Sequence, residues 1–251
     1  MPKPRSILFD HVACGVRRMD VIAALLEREL GGTPHRGGPG QGFRGAQWAF
    51  DGEGRLELIE PDGEPGGFLH RFLDSRGPGI HHVTFKVPDL HAARDRAGAL
   101  GFDVVGFNDE DPAWKECFLR PKQAGGIVVQ MAEADPDIDS DNWVPIAAAT
   151  SGPPVRTTSL RGLRLVSRDH ANMRRCWVDL LGATVEVTRG AGSMLHEETF
   201  RWAGCPLALR VLADPGADIE GPVALEFAAF GAAFRADLPQ LLGATLLQID
   251  S

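Results

Sequence analysis

The four cysteines, Cys14, Cys117, Cys176 and Cys205, stand far apart with no CxxC pair among them. That spacing argues against a disulfide framework and a thiolate zinc cluster, and it is expected of reduced thiols in a cytoplasmic protein. A basic surplus is missing too: 26 Lys and Arg against 34 Asp and Glu give a net charge of −8 and a pI near 5.5. Nucleic acid, whose phosphates need a basic face, is therefore excluded as a partner. No apolar run reaches the roughly 18 residues of a membrane span, and the opening MPKPRSILFD has no apolar core, so neither a span nor a signal peptide is expected. Glycine loops of the Walker or dinucleotide kind are absent as well. The stretch from Gly37 to Gly45, GGPGQGFRG, lacks both a Lys-Ser/Thr ending and a preceding strand, and is expected as a mobile loop near a pocket.

What is present is a chain of 251 residues, 43% hydrophobic, long enough for a proper core and for two domains. Its informative stretch is GIHHVTFKVPDL, Gly79 to Leu90. Alternation puts His82, Thr84 and Lys86 on one strand face and His81, Val83, Phe85 and Val87 on the other, so His81 is expected buried opposite His82. Asp89 then caps a helix that Gly101 can close in the left-handed conformation.

The same order of strand, helix and Leu-Gly stop recurs with Leu30-Gly31, Leu181-Gly182 and Leu242-Gly243, which points to duplicated modules. His11 lies 20 residues before Gly31 and His82 lies 19 before Gly101, so the two histidines share one structural position. Each early module continues into a hairpin and a last strand, RLELIEPDG with Glu57 and IVVQMAE with Gln130. A pseudo-twofold pairing of the two modules, four strands each, would gather His11, Glu57, His82 and Gln130. Two imidazoles, a carboxylate and an amide, with no thiolate, suit a divalent ion (Mn, Fe, Co, Ni or Zn) in a site with open positions for water or substrate.

On these residues the chain resembles the vicinal oxygen chelate superfamily of glyoxalases, bleomycin-resistance proteins and extradiol dioxygenases. The closest likeness is to methylmalonyl-CoA epimerases over residues 5 to 133. FDHVACGV, LELIEP, GIHHVTFKV and FLRPKQAGGIVVQM look like that branch's four metal strands, in order. The resemblance implies an α+β fold of paired βαβββ modules, with His11, Glu57, His82 and Gln130 as metal ligands. One departure bears on chemistry. The epimerase pattern has Gln at the second ligand position and Glu at the fourth, with a catalytic Glu on the strand matching AQWAF. Here Glu57 and Gln130 are exchanged, and Gln47 stands on that strand. Proton transfer then falls to Glu57 as metal-bound base, with Glu116 as a second candidate and Gln47 as a pocket residue.

The domains are expected as 1–133, a metal-binding module pair; 134–159, a linker rich in acid, Pro, Ser and Thr; and 160–251, a degenerate pair. The alternating Asp135, Asp137, Asp139 and Asp141 lack the Gly and Glu of a calcium loop and are expected to be solvated. Counting back from Gly182 and Gly243 puts Gly162 and Ala224 where histidines would sit, with Leu209, Arg210 and Val211 around the second ligand position, so this half is expected to bind no metal. His170 and His196 lie outside the ligand register and are expected at the surface. The fourth module has no closing hairpin before Ser251, and a homodimer is expected to cover the resulting sheet edge. The function expected is metal-assisted enolate chemistry on a small carbonyl or acyl-thioester substrate. The alternatives are a metal-free small-molecule binding or resistance protein and a non-haem iron dioxygenase.

Overall fold

The structure, a computed structural model, describes residues 6–135, 138, 142–189, 196–229 and 237–249. Asp137, Asp139 and Asp141 of the acidic run, and the side chain of His196, lie outside what is described. The first module is β1 (Leu8–Gly15), α1 (Met19–Leu30), β2 (Thr33–Gly40), β3 (Phe43–Ala49) and β4 (Arg55–Pro61), followed by α2 (Phe68–Arg76). The second is β5 (Gly79–Lys86), α3 (Leu90–Ala99), β6 (Val104–Asn108), β7 (Trp114–Leu119) and β8 (Val128–Ala134). After the short strand β9 (Val144–Pro145) comes the third: β10 (Thr158–Ser167), α4 (His170–Arg174), β11 (Thr184–Arg189), β12 (His196–Arg201) and β13 (Ala208–Ala213). The last is β14 (Gly221–Ala229), α5 (Leu238–Leu242) and β15 (Thr245–Ile249). This is the α+β, βαβββ architecture expected. Among the described residues no helix is long and apolar enough to cross a membrane.

Helix ends follow from the chain's own signals. Asp89 accepts a bond from the Ala92 amide at 2.9 Å and so starts α3. The stop glycines Gly31, Gly101, Gly182 and Gly243 all take positive φ, between 61° and 81°. Within the first three modules the opening strand then pairs in parallel with the closing strand. Ala13 faces Glu57, Thr84 faces Gln130, and Arg164 faces Arg210. In the last, β14 pairs in parallel with β15, Ala224 opposite Thr245.

The chain divides into two compact units, each drawing on both of its halves. One comprises residues 1–10, 82–140 and 162–223, and so joins the second and third modules. Its strands run in the orders β6-β7-β8-β5 and β11-β12-β13-β10. Its core is aromatic: Phe85 lies 4.7 Å from both Phe9 and Trp202, centroid to centroid, and 6.0 Å from Trp177. Each such ring pair adds roughly 0.5–1.5 kcal/mol to what burial alone contributes.

The other unit, residues 11–81, 141–161 and 224–251, joins the first and last modules, and Phe50 meets Phe227 edge-on at 5.4 Å. Its strands run β1-β4-β3-β2-β9 and β14-β15. The glycine-rich stretch expected as a mobile loop is here strands β2 and β3. The residues after the second module are tied down: β9 pairs with β2, placing Val144 opposite Gly37. Glu27, buried on α1, accepts bonds from Ala149 N at 3.0 Å, from Thr150 N and Oγ1 at 2.9 and 3.1 Å, and from Trp48 Nε1 at 3.1 Å. Four donors offset the penalty of burying that carboxylate, which is why a polar helix position can hold a connecting segment.

Gly162 shows why the third module carries no histidine at the matching place. Its φ is +133°, and a Cβ there would lie 1.8 Å from the Ala208 carbonyl oxygen. Gly162→Ala is therefore expected to cost more than ~2 kcal/mol, whereas Gly98→Ala, exposed on α3 with open space around it, should stabilise by about 0.5–1 kcal/mol. Urea unfolding of the two variants checks the pair, and equal midpoints would contradict the close-approach argument.

Candidate metal centre

The first half-site is built by β1, β4 and β3. Because Ala13 is opposite Glu57, His11 and Glu57 project from the same face of a parallel pair. Both are buried, at 1% and 6% exposure. The imidazole Nε2 of His11 lies 2.7 Å from Glu57 Oε2. Gln47, directly opposite Glu57 on β3, brings its amide nitrogen to 3.5 Å from His11 Nδ1. The second carboxylate oxygen, Oε1, packs at Gly45: a Cβ on that glycine would lie 2.7 Å from it. The two oxygens of Glu57 thus have different neighbours, the His11 imidazole beside Oε2 and Gly45 beside Oε1.

The second half-site repeats this register on β5, β8 and β7. His82 pairs with Val128 and Thr84 with Gln130, so His82 and Gln130 stand as His11 and Glu57 do. Both are buried, at 8%. Gln130 is held at both ends. Its Oε1 accepts from Thr84 Oγ1 at 2.6 Å, and its Nε2 donates to Glu116 Oε2 at 2.6 Å. Trp114 Nε1 donates to that same Glu116 oxygen at 2.9 Å. An amide whose nitrogen is committed to a carboxylate keeps its oxygen oriented, and a carbonyl oxygen has a second lone pair for a cation.

His81 projects away from His82, as alternation requires. It is half-buried against Phe68 and Phe72, centroids 5.5 and 4.8 Å away, rather than fully covered. Burial first, and then the positive charge of Arg76, push its pKa down to about 4, so it is neutral at ordinary pH. In the third module Gly162 and Arg210 hold the equivalent places, and neither coordinates a cation. His170 is only partly at the surface: its Nε2 lies 2.9 Å from Glu198 Oε1.

Within the first module, His11 and Glu57 are a buried imidazole and carboxylate of the kind that hold a metal ion. The donors fit such an ion. Two ligands each about 2.1 Å from a metal at a right angle stand roughly 3 Å apart, close to the 2.7 Å between His11 Nε2 and Glu57 Oε2. Spacing in the chain singled out the four ligand candidates. It missed Thr84 and Trp114, which orient Gln130 and Glu116, and Gly45, which lies against Glu57. The pairing of Thr84 with Gln130 could have been read from the strand register; a glycine's close approach leaves no mark in sequence pattern.

The Glyoxalase/Bleomycin resistance protein/Dioxygenase superfamily matches residues 10–139 of this chain. An ethylmalonyl-CoA/methylmalonyl-CoA epimerase from Cereibacter sphaeroides is 30% identical over 131 residues, which is 49% of this chain and 96% of the epimerase. A mutant of 4-hydroxymandelate synthase from Streptomyces coelicolor, 17% identical, superposes with a TM-score of 0.61 over 88% of this chain and 71% of the synthase. A hypothetical protein from Staphylococcus aureus, 12% identical, gives 0.60 over 90% and 92%. The last two similarities speak for the fold alone.

The bonding of Glu116 yields a direct expectation. Glu116→Ala leaves the Trp114 and Gln130 N–H groups without their acceptor and should cost about 1–3 kcal/mol. Glu116→Gln, whose carbonyl oxygen can accept both bonds, should cost less than half as much. Denaturant midpoints measure both, and equal losses would mean that Glu116 does not position Gln130 through these bonds.

Proposed function

Because this chain belongs to the glyoxalase/bleomycin resistance protein/dioxygenase superfamily and has its vicinal oxygen chelate fold, we propose that it is a metal-dependent enzyme acting on a small carbonyl or acyl-thioester substrate, with His11, Glu57, His82 and Gln130 holding one divalent ion. The observation that carries this reading is the buried His11–Glu57 contact at 2.7 Å, repeated in register by His82 and Gln130. The epimerase relative acts on acyl-CoA thioesters by its name, which makes acidic carbon next to a carbonyl the first chemistry to test.

A divalent ion bound there supplies Lewis acidity toward the substrate's carbonyl oxygen. Glu57 does the proton work. Its carboxylate, which would share the ion with His11, would accept a proton from the carbon beside the carbonyl and return it. Ligation through Nε2 would leave the His11 proton on Nδ1, and the Gln47 amide, 3.5 Å away, would accept it on its oxygen after turning over. Thr84 and Glu116 keep the Gln130 amide in one orientation. Burial of all four candidate ligands keeps bulk water from competing with these contacts.

Glu57→Gln should lower turnover by roughly 10²–10⁴-fold while changing metal affinity by less than about tenfold, because an amide coordinates but accepts no proton. Gln130→Glu should keep the metal. Deuterium incorporation from heavy water into 2-oxo acids and acyl-CoA thioesters measures turnover, and dialysis measures the metal. Equal small losses from both variants would sink the acid/base assignment and favour a binding protein. A second reading rests on the composition of the buried group, two histidines and one glutamate, which is that of an iron facial triad. Dioxygen uptake by the iron(II)-loaded protein would select it.

A further inference from the structure

The residue before β9 carries an aromatic side chain into the neighbourhood of Glu57, from a stretch outside the four modules. Asn142 passes so close to β2 that a Cβ on Gly38 would lie 1.7 Å from its carbonyl oxygen. Val144 and Pro145 then pair with Gly37 and Arg36, and Ile146 N bonds His35 O at 3.2 Å. Between these anchors sits Trp143. One point, the Cβ that Gly45 lacks, is 2.7 Å from Glu57 Oε1 and 2.8 and 3.2 Å from two carbons of the Trp143 six-membered ring. Glycine at 38 lets the backbone in, and glycine at 45 leaves room for the carboxylate and the ring together. Trp143 itself stays partly exposed.

We propose that Trp143 is an aromatic wall beside Glu57 Oε1, and that it selects a carbonyl substrate whose side group is apolar, alkyl or aryl. This deepens the metal-enzyme reading and rests on it for the substrate's place. The edge of an indole ring carries partial positive charge and suits a neighbouring carboxylate, while its face offers only apolar area. An anionic side group there would meet Glu57 in a partly desolvated space, where like charges repel more strongly than in water. A neutral side group meets no such repulsion and buries apolar surface against the ring.

The contact is tested without metal or substrate. The chain has five tryptophans, and the difference in emission spectrum between wild type and Glu57→Gln should disappear when both proteins also carry Trp143→Phe. A difference that survives that substitution overturns the contact. Selectivity is tested by calorimetry on the metal-loaded protein with phenylpyruvate and 2-oxoglutarate. Wild type should bind phenylpyruvate at least tenfold more tightly; Trp143→Phe should keep that ratio and Trp143→Ala should reduce it below about threefold. Equal binding of the two acids by wild type, or an unchanged ratio in Trp143→Ala, overturns the specificity role. Failure of the metal reading shows separately, as no cobalt(II) retained by wild type in dialysis, while the emission result still decides the Trp143 contact.

Discussion

The parallel pairing of a module's first strand with its last is the constraint on which the rest depends. It is set two residues out of step with the histidine: Ala13 opposite Glu57, Thr84 opposite Gln130. A slip of one residue would turn every donor to the opposite face. Because the helix and hairpin between these strands are closed by left-handed glycines and a tight turn, the register is fixed locally, module by module. Duplication then repeats the register with different side chains, a carboxylate at Glu57 and an amide at Gln130.

Those donors are buried, and burial explains the neighbours each one has. A carboxylate at 6% exposure needs partners for its lone pairs, and Glu57 has His11 on one oxygen. Gln130 is bonded at both ends by Thr84 and Glu116. The second pair of modules kept the strand register and changed what stands on it. Gly162 is pressed against Ala208, and Arg210 stands at the place that Glu57 and Gln130 hold in the first two modules. The modules follow one another along the chain, yet the compact units join second with third and first with last, through the Phe85 and Phe50 aromatic contacts respectively.

The repeat was legible in sequence because its signals are local: period-two strands, the Asp89 cap and the Leu-Gly stops all act within a few residues. The same signals put His11, Glu57, His82 and Gln130 on matched strands before any coordinates. Three elements were not legible. Strand β2, TPHRGGPG, has little strand propensity and exists through its pairing with β3 and β9. Helix α2 is a nine-residue segment between Gly67 and Gly77, buried through Leu69 and Leu73 alone, too short for its period to stand out. The connecting segment reads as polar, and its fixed course comes from Glu27, more than a hundred residues away in the chain. Long-range bonds of this kind leave no periodicity to find.

The central claim is that the two half-sites serve one ion, and cobalt(II) binding by His11→Ala and His82→Ala tests it most directly. Each histidine lies on a different module, so independent roles and a shared ion give different results. For a shared ion, wild type binds one equivalent in equilibrium dialysis, each single variant loses affinity by roughly 100-fold or more, and the double variant binds no ion. A wild type that binds none or two equivalents, or a His82→Ala variant that binds as tightly as wild type while His11→Ala does not, would contradict it.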